Sequence, residues 1–197
     1  SSAASDVYKR QIINVKERNF IVNKKKKNRG FSLIEIIVTI AIMAVITAGA
    51  VSIYSLINSS KLKSMAGKVN DAISNVRSDT LTKEGVYGYL MKYDNTEKCC
   101  TICLYKDGNT ANPYKKISLG KSGRYYVKDK FGNPYYLDKV DTNGLNFEFE
   151  KSDGSFKFIK ATSSGTAIDM DNCIYVEYAG KVKKIKLVKL TGKHYIE

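Results

Sequence analysis

The sequence has few of the residues that most enzymes use for catalysis. Its 197 residues include one histidine, no tryptophan and 19 acidic residues. It contains no Ser/His/Asp grouping, no H-E-x-x-H motif and no glycine-rich phosphate loop. We therefore predict that the chain is not an enzyme and that it has no metal site and no cofactor. Its length allows one domain and an appendage, which excludes a large multidomain protein.

The shortage of acidic residues gives the chain a formal net charge of +14. Residues 1–30 hold nine basic and two acidic residues, or +7, and the rest of the chain holds 24 and 17, again +7. A basic domain attracts nucleic acid, anionic polymers or acidic partners, but its summed charge does not choose among them. We treat nucleic acid as the minor alternative.

Apolar residues are concentrated in residues 36–57, a run of 22 without a charge. At about 1.5 Å per residue, a helix of this length can cross a bilayer. The basic segment KKKKNRG (24–30) precedes the run and only Lys61 and Lys63 follow closely, so we predict a single span with a cytoplasmic N-terminus. A secretory signal peptide would instead end its apolar region in small residues at a cleavage site. Here Gly30, the small residue suited to cleavage, precedes the run.

One acid, Glu35, lies beside this apolar run. An ionised carboxylate in hydrocarbon costs several kcal/mol unless it is paired or near the interface, so an acid in a membrane span indicates a function. The alternative is that Glu35, five residues beyond the basic segment, reaches the lipid headgroups.

The string Lys-Asn-Arg-Gly-Phe-Ser-Leu-Ile-Glu at residues 27–35 resembles the cleavage and methylation site of type IV prepilins and of the pseudopilins of type II secretion. In that family a membrane peptidase cuts after the glycine, methylates the new amino terminus and leaves an acid at the fifth mature position. The resemblance implies cleavage after Gly30, N-methylation of Phe31 and a role for Glu35 in assembly. Residues 1–30 would be a basic leader, of which residues 1–11 lack periodicity and a Met start; we expect those eleven to be extraneous.

The resemblance also implies a function and partners. The chain would be a structural subunit, a minor pilin or a pseudopilin, held in the cell membrane with an extracytoplasmic C-terminal domain before it enters a filament. Its partners would be the prepilin peptidase, other pilins or pseudopilins, and the membrane platform with its motor ATPase. Two alternatives stay open. One is a competence or adhesive pilin whose basic ectodomain binds DNA or a surface, and the other is an uncleaved single-span sensor.

The helical pattern continues beyond the apolar run. Apolar residues recur every three or four positions among polar ones, which predicts a helix with one buried stripe; they are Leu62, Met65, Val69, Ile73 and Val76. We expect one helix over residues 31–84, with residues 31–57 in the membrane or filament core. Residues 58–84 would form an amphipathic half that packs on an ectodomain spanning residues 58–197.

Residues 86–197 are rich in Tyr, Val, Ile and Phe and are divided by Asp-Gly and Asn-Gly turn signals. The alternation of residues 145–150, followed by Asp153-Gly154 and two more phenylalanines, predicts a β-hairpin. Residues 173–178 and 182–190 predict a second strand pair around Gly180, and 194–197 a short closing strand. The expected fold is α+β, with a long N-terminal helix packed on an antiparallel β-sheet, as in type IV pilins.

Four cysteines lie in the predicted extracytoplasmic region, where disulfides persist: Cys99, Cys100, Cys103 and Cys173. We expect a bridge from the 99–103 cluster, placed in the loop after the first strand, to Cys173 on a late strand. Sequence cannot choose the pairing. Cys100 and Cys103 also form C-x-x-C, for which redox activity, or zinc binding with His194, is the minor alternative.

A series of lysines near the C-terminus forms a candidate basic surface: Lys181, Lys183, Lys184, Lys186, Lys189 and Lys193. On an edge strand such lysines protect against aggregation, and the alternative is a contact surface for a subunit, nucleic acid or cell wall. Glu148 and Glu150 are predicted on a solvated face. The 14 tyrosines are best explained as sheet-filling residues, although tyrosines among lysines can also stack on bases.

Overall fold

The computed structural model describes residues 31–139 and 143–197. A boundary after Gly49 divides the described residues into two units, the second of which is Ala50–Glu197. Within the described residues, a single helix precedes eleven strands. The helix is α1, Leu33–Thr82, and the strands are β1 Tyr87–Asp94, β2 Cys99–Lys106, β3 Lys115–Ser118, β4 Arg124–Asp129, β5 Pro134–Tyr136, β6 Gly144–Phe149, β7 Phe156–Ser163, β8 Thr166–Ile168, β9 Met170–Tyr178, β10 Lys181–Val188 and β11 Lys193–Ile196.

The end of α1 is set by local backbone chemistry. Gly85 has a φ of +103°, a conformation that L side chains rarely adopt, so the helix cannot continue through it. The chain then turns into β1, where Val86 donates its backbone N–H to the Asp107 carboxylate at 2.8 Å. The predicted helix over 31–84 is therefore confirmed with two residues fewer at each end.

The strands form two antiparallel sheets. The first has the order β3-β2-β1-β6-β7-β8 and the second β11-β10-β9-β4-β5. Local hairpins supply most neighbours, but β1 pairs with β6 and β4 pairs with β9 across long stretches of chain. The expected α+β fold of one long helix on antiparallel strands is confirmed. The single sheet of the prediction is two sheets, because β4 pairs with β9 and β5 and not with β3, the strand before it.

The C-terminal unit has one hydrophobic core, shared by α1 and the inner faces of both sheets. The predicted stripe of α1 is buried in it, with Met65 partly buried against its edge; the buried members are Leu62, Val69, Ile73 and Val76. Aromatic residues from β1, β6 and β7 pack around Phe147, which stacks on Tyr89 with 4.4 Å between ring centroids. Burial of this apolar surface is the main stabilising term for the unit.

Both predicted hairpins are present. β6 pairs with β7 in antiparallel register, with Leu145, Phe147 and Phe149 buried as the alternation requires. β9 pairs with β10 through a two-residue loop, Ala179 and Gly180, and both residues have positive φ. Two positive φ values match a type I′ turn, whose twist suits a tight hairpin.

Candidate functional site at the start of the helix

The helix begins with a capping box at Ser32 and Glu35. The Ser32 hydroxyl accepts a hydrogen bond from the Glu35 backbone N–H at 3.2 Å, and the Glu35 carboxylate accepts one from the Ser32 backbone N–H at 3.4 Å. This S-x-x-E pattern satisfies two amides that a helix start otherwise leaves unpaired. Its spacing is visible in the sequence, which is the signal that could have predicted the cap. Glu35 thus has a hydrogen-bonding function within its own chain.

Phe31 lies immediately before this cap and is 79% exposed. It is outside the helix, which begins at Leu33. Gly30 and the basic segment lie outside the described residues. The predicted cleavage after Gly30 and methylation of Phe31 therefore stay predictions.

The apolar side chains that follow Glu35 are exposed. No residue of the most apolar 18-residue window of α1 is buried, and the helix is long and apolar enough to span a membrane. Its threonines bond to carbonyls of their own helix: Thr39 donates to Ile36 O at 2.8 Å and Thr47 to Met43 O at 2.7 Å. These bonds satisfy hydroxyls that hydrocarbon could not.

A capped, uncovered apolar helix that leads into an antiparallel α+β domain is consistent with the type IV pilin-like fold. In agreement with this geometry, residues 25–51 match the family model described as the prokaryotic N-terminal methylation motif. This is the signal motif of type IV prepilins and pseudopilins, and it supports a subunit of that family. The motif implies processing by a prepilin peptidase and assembly with other pilins. No curated protein and no solved structure matches the chain.

The cysteines are free thiols in the structure, so the predicted disulfide is not confirmed. Three of them lie on β2, not in the predicted loop. Strand alternation places Cys100 in the core, with Cys99 and Cys103 on the outer face of the first sheet. Cys173 alternates with the core residue Ile174 on β9 and so faces outward from the second sheet. A bridge from the cluster to Cys173 would have to pass through a sheet.

The same alternation separates the two thiols of the C-x-x-C motif. Cys100 and Cys103 are three residues apart on one strand, so their side chains point to opposite faces. Burial raises the pKa of both thiols, and more strongly that of Cys100, which disfavours the reactive thiolate. A vicinal redox pair at this motif is therefore not supported.

Four of the six lysines lie on β10, which is not an edge strand, so the edge-strand prediction is wrong for them, whereas Lys193 lies on β11. β10 lies between β9 and β11, so β11 forms the edge. Lys181 and Lys183 share the inward-facing side of β10 with Ile185, while Lys184 lies on the other side and pairs with Glu197 at 2.5 Å. The six lysines therefore do not form one surface, because alternation divides those on β10 between two faces.

Glu148 also differs from its prediction. It is only 9% exposed, and its carboxylate accepts a hydrogen bond from the Tyr105 hydroxyl at 3.1 Å. The Tyr105 ring covers the position where a side chain of Gly88 would lie, which brings its hydroxyl across β1 to β6. Burial and the Glu148 carboxylate raise the pKa of Tyr105. Glu150 is exposed, as predicted.

Tyrosines on the outer face of the second sheet pack on one another. Tyr126 and Tyr175 are stacked with 5.1 Å between centroids, and the Lys128 ammonium lies 4.8 Å from the Tyr175 ring centroid. The Arg124 guanidinium lies 4.6 Å from the ring centroid of Tyr136. Because neighbours cover these ring faces, the arrangement supports sheet filling over base stacking.

Proposed function

We propose that this chain is a minor pilin or pseudopilin, a structural subunit of a type IV pilus or a type II secretion-like filament. A prepilin peptidase removes residues 1–30, and before assembly the subunit is anchored in the cell membrane with its C-terminal domain on the extracytoplasmic side. It then assembles through residues 31–57. The observation that carries this proposal is the start of α1, where an uncovered apolar helix carries a single acid four residues after Phe31.

The pairing of that acid explains how assembly is directed. Cleavage creates an α-amino cation on Phe31, one helical turn from Glu35. The two groups can pair within one chain or between an incoming subunit and one already in the filament. Either pairing offsets some of the several kcal/mol that a lone charge costs in hydrocarbon, but only the interchain pair depends on subunit stagger.

A structural role also fits the rest of the described chain. The His194 imidazole contacts Ser74 Oγ at 2.8 Å and Gly192 O at 3.2 Å, so both ring nitrogens have partners within the fold. The thiols of the C-x-x-C motif point apart and are buried. These contacts are those of side chains that hold the fold together, and they support a structural role for the subunit.

The alternative of a pilin that binds DNA or a surface has less support, because the tyrosine faces beside the lysines are occupied. If the domain did bind DNA, phosphate contacts would make the affinity fall steeply with rising salt.

Processing at Gly30 tests the proposal. Gly30→Leu should accumulate as full-length protein in the membrane, because the peptidase requires a small residue before the cut. Gly49→Leu is the matched control, since a side chain at Gly49 meets open space and lies far from the cleavage site in sequence. Immunoblots of membrane fractions would show the size of each variant, and normal processing of Gly30→Leu would refute the proposal.

A further inference from the structure

The tip of the β9–β10 hairpin contacts α1 where the apolar run ends. The Lys181 ammonium donates to Ser59 Oγ at 2.7 Å and to Ser55 Oγ at 3.1 Å. On the other side of the turn, the Lys61 ammonium lies 3.5 Å from the Tyr178 hydroxyl and 5.7 Å from its ring centroid. The type I′ turn between these contacts is short, so the hairpin tip is held at one level of the helix.

That level is also where α1 enters the folded domain. Leu56 is 70% exposed, whereas Asn58 is 6% exposed and Leu62 is buried. C-terminal to this point the helix packs on the sheets, and N-terminal to it the side chains of residues 50–57 are exposed. If residues 31–57 span the membrane, as proposed above, the hairpin tip lies at the membrane surface.

The tip is rich in cations that have no carboxylate partner. Lys61 and Lys181 make the contacts above, Lys63 follows Ser59 by one helical turn on α1, and Lys183 shares a face of β10 with Lys181. The ion pairs of the described residues include none of these four lysines. The helix contributes no carboxylate between Glu35 and Asp71. The nearest carboxylate on the hairpin, Glu177, is engaged by Arg124 at 3.7 Å. Ammonium groups without a carboxylate partner keep their charge available to an external anion.

We propose that this tip, formed by Lys61, Lys63, Lys181 and Lys183, binds the headgroups of anionic phospholipids while the subunit waits in the membrane. Each lysine near an anionic bilayer is attracted to it, and the attraction decays within a Debye length. Tyr54, exposed on α1, and Tyr178, beside Lys61, are residues of the kind that accumulate at membrane interfaces. This inference rests on the proposed function, because it requires residues 31–57 to span the bilayer.

The contact has a consequence for assembly. A headgroup layer bound to both α1 and β10 orients the domain over its own transmembrane helix. Moving the subunit from the bilayer into a filament must then break these lipid contacts. A membrane with more anionic lipid should therefore require more force, or more motor activity, to release the subunit.

A single tryptophan reporter tests the contact, because the chain has no native tryptophan. Val182 lies between Lys181 and Lys183 and is 48% exposed, so Val182→Trp places the reporter at the tip. The full chain is reconstituted in nanodiscs of phosphatidylcholine, with or without phosphatidylglycerol, that contain headgroup spin-labelled lipid. We expect about a twofold increase in quenching when phosphatidylglycerol is present, and loss of that increase at high salt.

Two variants identify the residues responsible. Lys63→Gln combined with Lys183→Gln should abolish the phosphatidylglycerol-dependent quenching and leaves the Lys181 contacts to Ser55 and Ser59 in place. Lys189→Gln combined with Lys193→Gln is the matched control, because these lysines lie at the opposite end of β10, near the Thr191 carbonyl that Arg77 contacts. The control should respond to phosphatidylglycerol like the parent.

Failure of the contact and failure of the proposed function give different results. Equal quenching in both lipids, with the chain firmly inserted, would overturn the lipid contact alone. Quenching could instead change with the protein-to-lipid ratio and be the same with and without phosphatidylglycerol. That result would indicate that the tip contacts another subunit, and it would also overturn the lipid contact. Release of the chain from the bilayer by alkaline carbonate would overturn the span itself.

Discussion

Glu35 combines two roles, a hydrogen-bonding role in its own helix and a charge in an apolar segment. The capping box needs only an acceptor at this position, which Gln supplies as well as Glu. Pairing with the Phe31 amine of a neighbouring subunit needs a negative charge. Substitutions at this one position therefore separate the stability of the helix start from the assembly function.

Glu35→Ala should insert and be cleaved after Gly30, because it removes a charge from the span, and should then fail to enter the filament fraction. Glu35→Gln should retain the cap and fail in the same way. Sheared-filament fractions from cells without the wild-type subunit would measure this. Assembly of Glu35→Gln at the parental level would refute the interchain charge role and leave capping as the function of Glu35.

His194 should make the stability of the C-terminal unit depend on pH. Burial lowers its pKa below the usual value, with Arg77 contributing. The folded state therefore binds fewer protons than the unfolded chain as the pH falls through about 6.5, so stability should drop in that range. His194→Gln should lose less stability than the parent between about pH 7.5 and about pH 5.5. Thermal unfolding in detergent would measure the difference, and identical losses in both proteins would contradict the assignment.

At the scale of elements, Arg77 fixes the end of the amphipathic half of α1. Its guanidinium donates to Gly154 O at 3.0 Å and to Thr191 O at 3.2 Å, so it joins the β6–β7 and β10–β11 turns. The two turns are close enough that a Cβ on Gly192 would overlap the Gly154 carbonyl. Three elements distant in sequence thus meet at one side chain.

Gly192→Ala should destabilise the unit more than Gly165→Ala. Both residues have positive φ, which costs an alanine about 1 to 2 kcal/mol, but a side chain at Gly165 meets open space. At Gly192 the added methyl must also push the two turns apart. Denaturant unfolding of both variants would compare them, and equal losses of free energy would show that the turns are not in close contact.

The elements were largely predictable from local patterns. The helix stripe and both hairpins follow from hydrophobic periodicity, from Asp153-Gly154 and from Gly180, signals that act over a few residues. The positive φ of Ala179 does not follow from its residue type. The pairing of β4 with β9 was not predictable, because it depends on packing between segments about 50 residues apart. The position of β10 inside its sheet has a local cause, because β11 folds back onto it through the short turn at residues 189–192.

At the scale of the whole molecule, the processing motif was predictable because its residues are contiguous. Basic segment, glycine, phenylalanine, acid and apolar helix stand at fixed spacing, and the match over residues 25–51 supports them together. The faces of the sheets on which the cysteines lie were not predictable. Their spacing allowed a bridge, but the faces to which Cys100 and Cys173 point are decided by strand register in two different sheets.

The most direct test of the account is the N-terminal residue of the protein isolated from membranes of a host that contains a prepilin peptidase. Mass spectrometry of the N-terminal peptide should find N-methylated Phe31, and the same chain from a host without the peptidase should retain residues before Phe31. A mature chain that still begins before Phe31 in the competent host, or one that begins within residues 36–57, would contradict the account.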